Sequence, residues 1–236
     1  DAELELASRL YDIAMYYYVR GLRFAGSGYA FHTIGSTLRI NAKHYAQVRG
    51  FPKRNAAEDF YMLNKLAKTG QIENLPGTAI SIQARLSDRA PFGTGPALRA
   101  ISSLATPITE YGFYDPRVFD MLRIFLATAD QLHNEDPETC FQAVPEILSW
   151  LKQSDLYQLL AKQRRSSNLV FQRFLRDWFD SFQTLKFIHF MRDQYLPSVA
   201  IDSICDGMVL PKAHIQNLES VRWLHRVLTE EPDPDL

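Results

Sequence analysis

Apolar residues recur at helical spacing at the front of the chain. Leu10, Ile13, Ala14, Tyr17 and Tyr18 share one face, which predicts a helix over residues 3–25, broken by Gly26-Ser27-Gly28. The next stretch, 29–40, carries Tyr29, Phe31, Thr33 and Ile34 and reads as extended, with a bend at Gly35-Ser36. A short helix over 42–48 ends at Arg49-Gly50, and Phe51-Pro52 follows. The next amphipathic helix uses Phe60, Leu63, Leu66 and Ala67. Asn55 is placed to cap it, Glu58 stands at capping-box spacing, Lys65 and Lys68 fill the last turn, and Gly70 ends it. Residues 71–75 and 78–84 read as short strands around Pro76-Gly77, the second alternating with period two. The glycines and prolines of 85–96 predict a loop with a defined path.

From about Tyr114 the periodicity is helical throughout. Asp115-Pro116 and Asp136-Pro137 are cap-plus-proline starts, and Val118, Leu122, Phe125, Leu126 and Ala129 form the inner face after the first. Residues 168–195, with Phe171, Phe174, Leu175, Trp178, Phe182 and Leu185, predict one long aromatic helix closed by Pro197. Pro211 is expected to open a last helix running to Leu228, and the acidic tail 230–236 is expected to be disordered. The pattern thus predicts an α+β chain, predominantly α. A mixed half with short strands over 1–111 is followed by a helical region over 112–229 and the tail. The chain begins at Asp1, inside a helical pattern and without a methionine, which predicts a piece of a longer or processed protein.

Charge narrows the partners. The net charge is −1, which gives no reason to expect nucleic acid or an anionic membrane as the main partner. Cys140 and Cys205 are far apart and no cysteine–histidine cluster has zinc spacing, so two free thiols in a reducing, cytoplasmic setting are expected. No apolar run reaches the ~18–20 residues of a membrane span, and no signal peptide is evident.

The residues with chemical interest fall between 35 and 95. In order they are Gly35-Ser36-Thr37-Leu38-Arg39-Ile40, Val48-Arg49-Gly50-Phe51-Pro52, Glu58-Asp59 opening the helix to Leu66, and Gly70. This order resembles the C-terminal half of the catalytic domain of family 2 glycosyltransferases of the GT-A type. There a Gly-Ser strand with a basic residue is followed by a Gly-Gly-Phe turn and a Glu-Asp pair at a helix start. The likeness covers about residues 5–95, and Arg49 departs from it by replacing the first glycine of the turn.

The resemblance implies transfer of a sugar from a nucleotide-sugar donor to a hydroxyl acceptor. It makes Asp59 the base and Glu58 an acceptor-side partner. Arg89 and Arg85, with the Gly93-Thr94-Gly95 turn, would be contacts to the donor diphosphate. Gly35, Ser36 and Arg39 would line the acceptor side, although Arg39 bracing its strand is the stronger expectation. A carboxylate at a helix start suits the work, because the dipole and free amides keep it ionised while it takes the acceptor proton. The bland readings are a capping box for Glu58 and an ordinary first-turn acid for Asp59. His32 and His44 are expected to be structural.

The resemblance also implies a divalent metal, Mg2+ or Mn2+, in the intact enzyme, held mainly by a nucleotide-binding half that does not precede Gly35 here. Asp233-Pro234-Asp235 is the sole Asp-x-Asp, follows no strand and is not taken as that site. Strands lacking their sheet neighbours would favour pairing with a second copy. Inversion is the expected outcome and retention stays open. A non-catalytic helical interaction module with a degenerate transferase remnant is the alternative. A hydrolase using Asp59 with Glu58 is disfavoured, since adjacent carboxylates on a helix do not face each other across the ~5–9 Å such pairs need.

Overall fold

A computed structural model describes residues 2–33, 38–54, 56–73, 85–86, 93–207 and 209–230. It is 64% helix and 1% strand, with no sheet among the described residues. This corrects the α+β expectation of a partial GT-A half. Residues 29–33 and 38–40 make no ladder, and the one bridge among the described residues is the antiparallel Phe113–Val199 pair. Aromatic and β-branched content marks a segment that can pack. It does not supply the neighbouring backbone that a strand needs for its N–H and C=O groups. The expected strand at 78–84 lies outside the described residues, as do Gly35, Ser36, Asn55, Arg89 and the tail 231–236. With no ladder at 29–33 or 38–40, the reason for expecting strand-edge pairing with a second copy falls away there.

The chain divides into two compact units, one comprising residues 1–20, 31–113 and 199–236, the other residues 21–30 and 114–198.

The first unit contains most of α1 (Ala2–Phe24), then α2 (Ala42–Gln47), α3 (Glu58–Leu66), α4 (Thr94–Ser102), α5 (Pro107–Glu110), α12 (Ile201–Ile204) and α13 (Leu218–Glu230). Its buried side chains come from α1 (Leu10, Ile13, Tyr17), α3 (Met62, Leu63, Leu66), α4 (Leu98, Ile101) and α13 (Val221, Leu224, Leu228). These are i, i+3, i+4 sets, the stripe that turns a helix toward a core. Three boundaries differ from the sequence reading. The α3 helix starts at Glu58 after Ala57, whose φ of 58° is left-handed, so Glu58 opens the helix and does not stand at the third position of a box. Gly93 (φ 95°) opens α4 where a loop was expected. Pro96 sits in the first turn of α4, where a missing N–H costs nothing. And α13 begins at Leu218, well past Pro211. Asn217 and Ser220 cap it reciprocally, the Ser220 amide donating to Asn217 Oδ1 at 3.0 Å and the Asn217 amide to Ser220 Oγ at 3.1 Å. The stretch before it is held by the Ile215 amide, which donates to Asp202 Oδ1 at 2.7 Å.

The second unit contains α6 (Arg117–Thr128), a 3-10 turn (Ala129–His133), α7 (Pro137–Cys140), α8 (Pro145–Gln153), α9 (Asp155–Gln163), α10 (Asn168–Trp178) and α11 (Ser181–Gln194). Phe125 is its hub, with ring centroids 4.7 Å from Phe179, 5.3 Å from Trp150, 5.7 Å from Phe187 and 6.0 Å from Phe141. Each such buried aromatic contributes ~1.5–3 kcal/mol through area removed from water. The expected single helix over 168–195 is two helices. Asp180 breaks it, because its side chain accepts from the amides of Phe182 and Gln183 at 3.0 and 3.2 Å and so caps α11. Asp115 works similarly before α6, accepting from the Arg117 amide at 2.9 Å and its guanidinium at 2.6 Å. The hydrogen bond from the Arg117 side chain holds the Asp115 carboxyl below the usual range despite its burial.

Candidate active site

The first unit brings together three residues far apart in sequence: Tyr11, Asp59 and Thr94. Tyr11 lies one position beyond the core residue Leu10 on α1. Its phenol is hydrogen-bonded to Thr94, and burial, with the negative charges of Asp12 and Asp59, pushes its pKa above the ordinary value. It is therefore a protonated hydrogen-bond donor at neutral pH. Asp59 lies in the first turn of α3 and is half-buried. Its Oδ1 accepts from the Phe60 amide at 2.7 Å. Thr94 is exposed and is the first residue of α4. The amides of Thr94 and Gly95 have no partner within the helix, which gives that end of α4 a partial positive charge. Among the described residues none lies within 4 Å of where a Cβ on Gly93 would project, and its φ of 95° suits glycine. Tyr11 thus links α1 to the start of α4 through Thr94, within electrostatic reach of Asp59.

A chain of charged groups joins α1 to α13. Arg222 donates to Glu5 at 2.7 and 2.8 Å, Arg9 donates to Glu5 at 2.9 Å, Arg9 contacts His225 Nδ1 at 3.1 Å, and His225 Nε2 contacts Asp12 Oδ2 at 3.2 Å. Arginine only donates, so Nδ1 of His225 is the acceptor and Nε2 carries the proton given to Asp12. Both ring nitrogens are engaged. An Asp–His pair that serves as a base needs one of them free, so this pair is a brace. The Glu5 carboxyl is pulled to about 2, first by the Arg222 hydrogen bond and then by that of Arg9.

The other expected site residues are more scattered. Glu58 is exposed beside Asp59, and Arg39 and Arg85 are exposed. Gly93 and Gly95 frame the start of α4, Gly95 being buried. Arg89, Gly35 and Ser36 lie outside the described residues. His32 meets the Tyr16 ring edge-on with centroids 4.7 Å apart. His44 Nδ1 lies 3.0 Å from Thr69 Oγ1, and Thr69 donates its own proton to Leu66 O at 2.9 Å, so His44 donates and is fixed as a spacer against Gly70. Among the described residues no group of three or more His, Cys, Asp or Glu could hold a metal ion. The divalent cation implied by the resemblance is expected mainly from a nucleotide-binding half outside this chain, and these residues do not bear on it. Sequence reading missed Tyr11 and Asp12. They carry no motif, and the one signal was a polar pair just off the apolar face of an amphipathic helix.

Among the described residues no helix is long and apolar enough to cross a membrane. Comparison of the chain with family models, curated proteins and solved structures returns no match.

Proposed function

We propose that this chain supplies the acceptor side of a glycosyltransferase that moves a sugar from a nucleotide-sugar donor to a hydroxyl. What supports it is the order of motifs resembling family 2 enzymes, with Asp59 in the first turn of α3 and its charge reaching Tyr11, whose phenol is hydrogen-bonded to Thr94. The motif order resembling family 2 enzymes assigns base and diphosphate roles to residues 59 and 93–95, and that assignment owes nothing to Tyr11. In the reaction, Asp59 takes the proton from the acceptor hydroxyl. The acceptor oxygen forms its bond to the anomeric carbon as the bond to the diphosphate oxygen breaks, and the nucleoside diphosphate leaves with that electron pair. Direct attack inverts the anomeric centre. Tyr11 donates a hydrogen bond to an acceptor oxygen, Glu58 orients the acceptor, and the free amides of α4, with Arg85 and Arg89, face the diphosphate. The cytoplasm is the setting we assign, consistent with free Cys140 and Cys205, the latter thiol pushed up by burial to about 11 and so unreactive.

The test is release of nucleoside diphosphate from UDP-, GDP- and TDP-sugars by the intact protein. Release that depends on an added saccharide or alcohol acceptor and on Asp59 supports the reading. Equal release by Asp59→Asn overturns it. The helical architecture favours one other reading, a non-catalytic helical interaction module, and that reading predicts no release at all.

A further inference from the structure

The net charge of −1 hides a local imbalance. From Arg39 to Ala57 the chain carries Arg39, Lys43, Arg49, Lys53 and Arg54 and no Asp or Glu. All five basic residues are exposed. Within the same segment are two large exposed aromatics, Tyr45 (41%) and Phe51 (42%), whose rings pack edge-to-face with centroids 6.2 Å apart. The pair is held by a tight turn. Arg49 (φ 63°) and Gly50 (φ 70°) are both left-handed, the Gly50 amide donates to Tyr45 O at 3.0 Å, and a Cβ on Gly50 would lie 3.0 Å from the Tyr45 hydroxyl. The Gly50 backbone therefore backs one side of the Tyr45 ring, and the two rings form one partly exposed apolar patch. Arg54 is committed elsewhere, stacked 3.7 Å over the Tyr61 ring, which leaves Arg39, Lys43, Arg49 and Lys53 as exposed basic residues of the same segment.

From this juxtaposition we propose that residues 39–54 form a peripheral docking surface for an anionic lipid bilayer. Lysine and arginine beside an anionic surface each add about fivefold to binding, and aromatic side chains favour the headgroup boundary, where an apolar body and a polar edge are both satisfied. The two rings touch edge-to-face and form one contiguous, partly exposed apolar patch rather than separate stacking platforms, which favours a bilayer interface over single-stranded nucleic acid. Charge complementarity is met without a membrane-spanning helix. The proposal does not depend on Asp59 or on sugar transfer.

The experiment is co-sedimentation of the full chain with vesicles of phosphatidylcholine alone and of phosphatidylcholine with phosphatidylglycerol in a two-to-one ratio. Binding to the anionic vesicles only, lost at high salt, is expected. Lys43→Glu with Lys53→Glu weakens it about 25-fold or more. Tyr45→Ser with Phe51→Ser weakens it about tenfold by removing the inserted area. Far-UV circular dichroism establishes that each variant is folded, and if the aromatic variant is not, the charge variant carries the test. Absence of vesicle binding by the wild-type chain, or binding unchanged in the charge variant, overturns the proposal. So does tight binding of oligo(dT) with the same charge dependence and no vesicle binding, which would make the surface a nucleic-acid site. Asp59→Asn is expected to bind vesicles as wild type does, so failure of the transfer reading leaves this result standing.

Discussion

Replacing Gly21 by alanine sets two physical effects against each other with opposite signs. Gly21 lies inside α1, where alanine is worth ~1 kcal/mol over glycine in helix propensity. The Phe119 ring lies end-on against it, and a Cβ would meet its Cζ at 2.4 Å and both Cε atoms at 2.5 Å. Carbon atoms prefer ~3.5–4.0 Å, so the ring must retreat by about 1 Å. Phe119 is 0% exposed and close-packed, with no room to do so. Overpacking of this kind costs ~1–3 kcal/mol, and the upper half of that range fits a clash with three ring atoms. The net expectation is a destabilisation of ~1–2 kcal/mol, a fall in Tm of about 2–8 °C for a chain of this size. Thermal unfolding followed by circular dichroism measures it. Phe119→Leu alone also destabilises, by leaving a void at the ring tip, but combined with Gly21→Ala it recovers ~1 kcal/mol or more relative to additivity. A Tm raised by Gly21→Ala, or strictly additive variants, would refute the packing argument.

Three other perturbations probe separate devices. Thr184 is 0% exposed and its hydroxyl has no partner among the described residues, so Thr184→Val should stabilise by ~1 kcal/mol, read as a higher denaturant midpoint; an unchanged or lower midpoint counts against it. Asp180→Ala removes the cap of α11 and should cost ~1 kcal/mol, while Asp180→Asn, which keeps the acceptor, should cost less; equal losses would remove the cap argument. Glu5, held at about 2 against an ordinary 4.5 by Arg222 and Arg9, contributes stability that is fully present above pH 4.5 and is lost as pH falls toward 2. Glu5→Gln should therefore flatten the stability profile in that acid window, and parallel profiles for variant and wild type would show that the ion pairs contribute nothing there.

The helices announced themselves in sequence wherever one face was apolar and the ends carried caps. The α1 helix followed from Leu10, Ile13 and Tyr17, and α2 ended at Arg49-Gly50 because two consecutive left-handed residues cannot continue a helix. Misreadings arose where a polar residue had to choose between roles. Asp180 reads as one more surface acid in an aromatic run, yet its carboxylate competes for the Phe182 and Gln183 amides and splits the helix. Pro211 looks like a helix start, but the reciprocal Asn217–Ser220 cap lies closer to the apolar run of α13. Gly93 to Pro96 reads as loop because glycine and proline dominate it, although each stands where a helix N-terminus tolerates it. The expected strands failed because alternation names a face and not a partner. At the candidate site the motif order picked out Asp59. Tyr11 was invisible, since what distinguishes it is its nearness to Asp59 and Thr94 in space. The basic segment around Tyr45 and Phe51 vanished into a whole-chain charge that averages to −1.

The proposed role of Asp59 as the base is tested most directly by steady-state kinetics of the proposed sugar transfer in the intact protein. Asp59→Asn, set beside Glu58→Gln, should lower kcat by about 10²–10⁴ with the donor KM little changed, because only proton removal in the transition state is lost. Glu58→Gln should act mainly on the acceptor KM. A kcat for Asp59→Asn within error of wild type would contradict the account.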